Sequence, residues 1–391
     1  MGLELFDWLK DVGQIVEVGG KQKQLRQTGR GTDYTADEYR DLVRRTVDKL
    51  HPARMRLRVQ EIVGETSSTK TLRCLRIDGP LPPFRAGQYV NVFVEIDGVL
   101  TSRPYSMSSR PGDDHLDLTV RDRPDGFVAP YLLNEVRFGD ELTTTGPSGG
   151  FYYEPLIDGE QLVFLAGGSG ITPFMSIIRQ AATEQCPPTI HLLYGTRTLD
   201  DVIFGAELKR LDALYPWLNF TLVVSEPPAG YDGVRGFLDA ATIEKAIGGF
   251  SGQKFMLCGP NVMLTYCLEQ LGALGVPAHK IRRELYGPPD DVTREPGWPE
   301  GLAASQEFQV VVEGKKTIAV KAGEPLLCSL ERHGLIVPAV CRAGECSSCR
   351  VRLVAGKVFM PAHAGVRESD RRFGYIHSCV AFPLSDLHID I

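Results

Sequence analysis

Of the nine cysteines in the 391-residue chain, three crowd into the string Cys341-Arg-Ala-Gly-Glu-Cys346-Ser-Ser-Cys349, and a fourth, Cys379, follows near the end. Four residues within the first pair, two within the second and one distant partner is a spacing that suits four thiolates around a [2Fe–2S] core. Soft, deprotonated sulfur suits iron. Ala343, Gly344, Ser347 and Ser348 give the loop room to wrap a small inorganic centre, with their N–H groups turned toward its sulfurs. Other readings of the same residues exist. Cys346–Cys349 alone is a C-x-x-C of redox or zinc type, and cysteine is often simply buried. Zinc ribbons bring two such pairs, whereas this chain has a triplet and one distant cysteine.

A second set of strings suits nucleotides. The apolar run Leu162–Ala166 leads into Gly167-Gly168-Ser-Gly170-Ile171-Thr172-Pro173, then into a helical pattern with Phe174, Met175, Ile177, Ile178 and Ala181 on one face. Glycines let the backbone approach a pyrophosphate, and a helix start adds partial positive charge. The string is not the dinucleotide fingerprint G-x-G-x-x-G, because Pro173 stands where the third glycine belongs. Pro173 is expected at the first helical position, where its missing N–H is no loss. Cys258-Gly259-Pro260 follows another apolar run, with a plain buried thiol as its simplest reading. Arg103-Pro104-Tyr105-Ser106 combines a guanidinium fork for phosphate oxygens, a flat ring for a heterocycle and a hydroxyl donor, although an ordinary strand end reads the same.

The elements around these strings divide the chain. Residues 1–52 hold an apolar stripe (Leu3, Leu5, Phe6, Leu9, Val12) beside Trp8, then a gap from Gly19 to Gly31. Thr35-Ala-Asp-Glu38 has the form of a capping box ahead of a helix with Tyr39, Leu42, Val43, Val47 and Leu50 on one side, ended by Pro52. This helical extension reads as an appendage packed on the main body, or as a docking arm. Over 53–154, short alternating strands (56–63, 70–77, 89–96, 116–121, 141–145) separated by turns predict a small antiparallel β-barrel. Over 155–286, apolar strands at 162–166, 190–194, 220–224 and 254–257 alternate with helices near 206–214 and 261–274, with 280–286 closing the unit; that order predicts an α/β domain on a parallel sheet. Residues 287–305, with Pro296 and Pro299, read as a semi-rigid linker into a last domain at 306–391, where a helical stretch 324–333 precedes the cysteine loop.

Residues 306–391 resemble a plant-type ferredoxin domain, a β-grasp sheet crossed by a helix. Residues 53–286 resemble the ferredoxin–NADP⁺ reductase superfamily. Together they resemble oxygenase reductase components with a carboxy-terminal ferredoxin, of the phthalate dioxygenase reductase and phenylacetyl-CoA epoxidase reductase type. The resemblance implies that Arg103, Pro104, Tyr105 and Ser106 form the flavin motif, with Val120 and Arg121 among the cofactor-binding residues. It makes Gly126-Phe127-Val128-Ala129 the loop that holds the flavin pyrophosphate, although Ala129 stands where serine is usual. Gly146-Pro-Ser-Gly149 becomes the turn that ends the barrel. Gly167, Gly168, Gly170, Ile171, Thr172 and Pro173 take the nicotinamide nucleotide, as do Cys258, Gly259 and Pro260, with the Cys258 thiol near the nicotinamide. Glu284-Leu-Tyr286 matches the family's ending that puts an aromatic ring near the flavin. Ser106 and Cys258 are the positioning residues at the reacting centre, and Cys341, Cys346, Cys349 and Cys379 the cluster ligands. FAD is expected in preference to FMN. Arg197 suits the 2′-phosphate of NADPH, Glu226 the ribose hydroxyls of NADH, and the two indications conflict.

The implied function is an oxidoreductase passing electrons from NAD(P)H through flavin and a [2Fe–2S] cluster to an outside protein, an oxygenase component or another metalloprotein. A redox-sensing module and a reductase of free flavin are the alternatives. A net charge of −6 argues against a nucleic-acid partner, and no run approaches the ~18 apolar residues of a membrane span. The amino terminus lacks a basic-then-apolar secretion signal, and five cysteines outside the cluster set (74, 186, 258, 267, 328) read as reduced thiols, so a cytoplasmic address is expected.

Overall fold

The computed structural model describes residues 37–50, 52–123, 126–249 and 252–391. The stripe around Trp8, the 19–31 gap and Thr35 lie outside the described residues. The helix expected after the capping box spans Asp37–Leu50 and stops two residues before Pro52, whose ring disfavours helix in the residue ahead of it. It belongs to a compact unit of its own, and the residues from Ala53 onward form a second.

That second unit contains three principal sheets. The first has six antiparallel strands: β1 (Met55–Thr66), β2 (Thr69–Arg76), β3 (Tyr89–Ile96), β4 (Val99–Ser106), β5 (Leu116–Arg121) and β6 (Glu141–Thr144), in the order β4-β3-β6-β1-β2-β5. A bridge between Met107 and Leu118 joins the two outer strands, so the sheet closes on itself. Alternation in β1 sends Met55, Leu57 and Val59 inward, where Leu72, Val90, Val92, Leu116 and Leu118 meet them. β4 is the strand that the pattern of apolar residues did not predict. Its Pro104 has no N–H for a ladder, which reads as a loop signal, yet the residue sits opposite Asn91 on β3.

The second sheet is wholly parallel: β7 (Gln161–Gly167), β8 (Thr189–Thr196), β9 (Leu218–Val224), β10 (Val234–Arg235), β11 (Lys254–Cys258) and β12 (Ile281–Glu284), in the order β10-β9-β8-β7-β11-β12. Its central strands are buried on both faces, as helices on both sides of a parallel sheet require. Besides the three predicted helices, one spans Ala240–Ile247, where the Asp239 side chain accepts from Thr242 N.

The third sheet comprises β13 (Glu307–Val312), β14 (Thr317–Lys321), β15 (Arg350–Ala355), β17 (Tyr375–His377) and β19 (Leu387–Asp390), in the order β14-β13-β19-β15-β17; β16 (Val358–Phe359) and β18 (Phe382–Pro383) form a separate ribbon. The helix Leu326–Arg332 buries Leu326, Leu327 and Leu330 against this sheet. Within 287–305, Trp298 packs edge-on to Phe359 and Phe382, with ring centroids 5.4 and 6.4 Å away, so this proline-rich stretch lies on the last domain.

Candidate functional site

Three strand ends meet in one polar cluster. β4 ends at Ser106, β11 at Cys258 and β12 at Glu284, and the parallel ladder sets Cys258 beside Glu284. The carboxyl ends of parallel strands are where open α/β sheets bind ligands. Ser106 Oγ and Tyr286 OH share a hydrogen bond of 2.9 Å; Ser106 Oγ donates to Glu284 Oε2 at 3.5 Å, and Cys258 Sγ to the same oxygen at 3.9 Å. Barrel and nucleotide domain therefore each contribute side chains to one buried cage. Burial pushes Glu284 up to about 8; the charge of Glu345 adds to this, and hydrogen bonds from Ser106, Tyr286 and Cys258 oppose it. Burial likewise raises the Cys258 thiol, which stays protonated at neutral pH.

The nucleotide turn lies against this cage. Gly167 ends β7, Gly168–Gly170 form one tight turn, and the helix Ile171–Ala181 follows. A Cβ on Gly170 would stand 2.1 Å from the Cys258 carbonyl oxygen, so the two predicted nucleotide turns pack backbone against backbone. Gly168 has φ +52°, and a Cβ there would lie 2.6 Å from Arg121 Nη1. Pro173 is the third helical residue rather than the first, and its missing N–H is still free of cost because first-turn donors have no intrahelical acceptor. Thr172 donates its hydroxyl to Ser169 O at 2.7 Å, which steadies the turn, while the Ile171 side chain belongs to the core.

The remaining predicted residues take different places. Arg103 donates from Nη1 to Thr101 Oγ1 at 2.7 Å and to Ser102 O at 2.8 Å. Tyr105 packs on the barrel core, and Val120 lies wholly inside that core. Gly126 N donates to Arg123 O at 2.9 Å, Phe127 is exposed, and buried Val128 leads into the helix Ala129–Asn134 with Ala129 and Pro130 in its first turn. Pro260 precedes the helix Asn261–Ala273, and Gly259 packs against Gly167 N. Arg197 and Glu226 pair with each other at 3.3 Å and are exposed, so the carboxylate neutralises the guanidinium. Two supporting contacts escaped the sequence reading. Arg121 reaches from the barrel to Asp201 at 3.0 Å, and Tyr194 OH donates to Gly168 O at 2.9 Å. Neither Asp201 nor Tyr194 belongs to a recognisable string, since each acts through a partner distant in sequence.

The four late cysteines converge as two pairs. The Cys341 and Cys346 side chains hydrogen-bond, as do those of Cys349 and Cys379. Sharing a proton with its partner holds Cys346 and Cys349 below the usual thiol range and drives Cys341 and Cys379 above it. Among the described residues no group of three or more His, Cys, Asp or Glu converges on one point as a single-ion site. Two adjacent pairs of thiols suit a two-iron core. Ala343 N, Glu345 N and Cys346 N each donate to Cys341 Sγ at 3.4 Å, while Gly344 N supports Cys379 and Ser348 supports Cys346. Of the small residues expected to face the sulfurs, Ser347 keeps its buried hydroxyl without a protein partner.

The chain beside the cage and the cysteine loop meet in one apolar cluster, while Cys258 and Tyr286 pack in another. Tyr89 of β3, Leu285 between Glu284 and Tyr286, Cys341 and Ala343 are buried in the first, with Val340 and Cys346 packed alongside. Residues 56–153 match the family described as oxidoreductase FAD-binding domain, 164–269 the oxidoreductase NAD-binding domain, and 310–384 the 2Fe-2S iron-sulfur cluster binding domain. The chain is 29% identical over 360 residues to the glycine betaine monooxygenase reductase subunit of Chromohalobacter salexigens, covering 86% of this chain and 95% of that protein. It is 30% identical over 352 residues to the ferredoxin reductase component of 3-ketosteroid-9-alpha-monooxygenase from Mycobacterium tuberculosis, covering 85% of this chain and 94% of that protein. Its fold matches the solved structure of phthalate dioxygenase reductase at a TM-score of 0.64 and 21% identity, over 86% of this chain and 98% of that one. The matches run along nearly the whole of these relatives, and the chain belongs to the ferredoxin–NADP⁺ reductase superfamily, in the group of oxidoreductases that carry a carboxy-terminal [2Fe–2S] domain.

Proposed function

We propose that this chain is the reductase component of an oxygenase system: it oxidises NADH and delivers electrons singly to a separate oxygenase protein. One observation carries the reading. Leu285, between Glu284 and Tyr286 of the cage, is buried in one apolar cluster with Cys341 and Ala343, and the charge of Glu345 in the cysteine loop acts on Glu284, which supports two redox centres side by side in one polypeptide. A bound flavin would supply the chemistry that joins a two-electron hydride donor to a one-electron iron–sulfur centre. Ser106 and Tyr286 would offer hydroxyl donors to the flavin, Cys258 a neutral thiol to the nicotinamide, and Glu284 holds a proton in reach of all three. Arg103 and the backbone of Gly126–Ala129 are assigned to the flavin phosphates, with FAD the expected flavin. The turns at Gly167–Pro173 and Cys258–Pro260 are assigned to the dinucleotide. Cys341 with Cys346, and Cys349 with Cys379, are assigned one pair to each iron.

The Arg197–Glu226 pair favours NADH, because a carboxylate suits ribose hydroxyls and here neutralises the cation that would suit a 2′-phosphate. All nine cysteines are free of disulfides, which supports a reducing, cytoplasmic address. Among the described residues no helix is long and apolar enough to cross a membrane.

Cys346→Ala separates this reading from its rivals. The variant should lose iron and one-electron transfer to cytochrome c while its flavin is still reduced by NADH. Transfer to cytochrome c at the wild-type rate would refute the relay, and wild-type protein that fails to turn over NADH with cytochrome c would point to a sensor.

A further inference from the structure

The cysteine loop is joined to the barrel by buried polar contacts as well as apolar ones. Thr101 lies on β4, two residues before Arg103, and is 4% exposed. Its hydroxyl donates to Glu331 Oε2 at 2.9 Å and accepts from Arg103 Nη1 at 2.7 Å and from Arg342 Nη2 at 3.1 Å. A hydroxyl has one donor and two acceptor sites, so all three are filled. Glu331 comes from the helix Leu326–Arg332, and Arg342 follows Cys341 directly; the two also form a buried ion pair. Arg342 adopts φ +54°, a left-handed conformation that a non-glycine residue keeps only where its surroundings fix it. A second bond runs parallel to this one: Asn91 on β3, opposite Pro104, donates from Nδ2 to Val340 O at 2.8 Å. The strand pair bearing the flavin motif thus holds the loop on both sides of Cys341. Burial and the neighbouring Arg342 charge both press Arg103 below the usual guanidinium range, which places the two cations close together around this one hydroxyl.

We propose that the Thr101 hydroxyl is a positioning group for electron transfer: it registers the Val340–Ala343 loop, through Glu331 and Arg342, against the strand that carries Arg103–Ser106. This rests on the electron-relay reading given above. Valine matches threonine in shape but lacks the hydroxyl, so Thr101→Val leaves Glu331 Oε2 without its donor and takes one of two bonds from each of Arg103 Nη1 and Arg342 Nη2. The loop can recover those bonds with water only by moving off β4.

The test uses the purified holoprotein mixed rapidly with NADH. In Thr101→Val the flavin should bleach at the wild-type rate, while the later transfer to the cluster slows by about tenfold, the weight of one charge-assisted hydrogen bond. Amide hydrogen exchange at residues 340–343 should rise in the same variant, and Thr101→Ser should restore both readouts. If Thr101→Val fails to keep its cofactors, Glu331→Gln serves instead, because it unbalances the same junction from the other domain; slower transfer and faster exchange are expected there too. Wild-type transfer with wild-type exchange in a cofactor-replete variant overturns the proposal and leaves the relay standing. A wild-type protein whose cluster is never reduced by NADH overturns the relay itself.

Discussion

Gly170→Ala isolates the packing of the two nucleotide turns. Glycine at 170 has φ −65° and ψ −6°, a conformation alanine adopts freely, so the substitution carries no backbone penalty. Space is the only obstacle. The new Cβ would stand 2.1 Å from the Cys258 carbonyl oxygen, 2.4 Å from its carbonyl carbon and 2.6 Å from Gly259 N. Carbon and carbonyl oxygen come no closer than about 3.3 Å in favourable contacts, so the turns must part by about 1 Å. All three atoms are backbone, and no side-chain rotation relieves the clash. Overpacking of this kind costs about 1–3 kcal/mol in stability. Displacing Cys258 by about 1 Å from the reacting centre is expected to slow hydride delivery by about tenfold to a hundredfold. The assay is rapid mixing with NADH, followed at the flavin band across a range of NADH concentrations, with thermal melting alongside. Gly272→Ala is the control: its Cβ meets no atom within 4 Å, and alanine in the helix Asn261–Ala273 should stabilise by up to about 1 kcal/mol. A Gly170→Ala protein that is reduced at the wild-type rate and melts with the wild type would refute the reasoning.

Two further predictions concern charge. Burial holds Glu284 at about 8, above the ordinary carboxylate range, so between those values the folded chain keeps a proton that the unfolded chain has released, and stability falls as pH rises toward 8. Glu284→Gln should remove that slope and gain on the wild type between about pH 5 and about pH 8; melting curves that stay parallel across this range would contradict the assignment. Glu226→Gln frees Arg197 from its 3.3 Å partner, and kcat/KM for NADPH relative to NADH should rise by about threefold to fivefold, the scale of an exposed ion pair. An unchanged ratio would mean that the 2′-position of the dinucleotide lies elsewhere.

The elements readable from sequence are those whose chemistry is local. Cys341 through Cys349, the Gly167–Pro173 turn and Cys258-Gly259-Pro260 are short strings with a physical reason for each residue, and the structure packs the last two backbone against backbone. Strands β7 and β11 were equally plain, because a continuous apolar run between turns has few other readings. β4 was hidden because Pro104 and the polar residues around it break the alternation that marks a half-buried strand. The helix Ala240–Ile247 was missed although Asp239 supplies a start signal. Thr101, Glu331 and Arg342 left no trace of their association, since partners some 230 residues apart in sequence meet through tertiary contact alone. Arg121 with Asp201 is a case of the same kind.

The central claim is that both redox centres sit in one chain and exchange electrons within it. Rapid mixing of the holoprotein with NADH, repeated over a range of protein concentrations, tests that claim most directly. The account predicts that the flavin band bleaches first and that the iron–sulfur band then follows at a rate independent of protein concentration. Cluster reduction that accelerates in proportion to protein concentration would mean that electrons pass between molecules, and would contradict it.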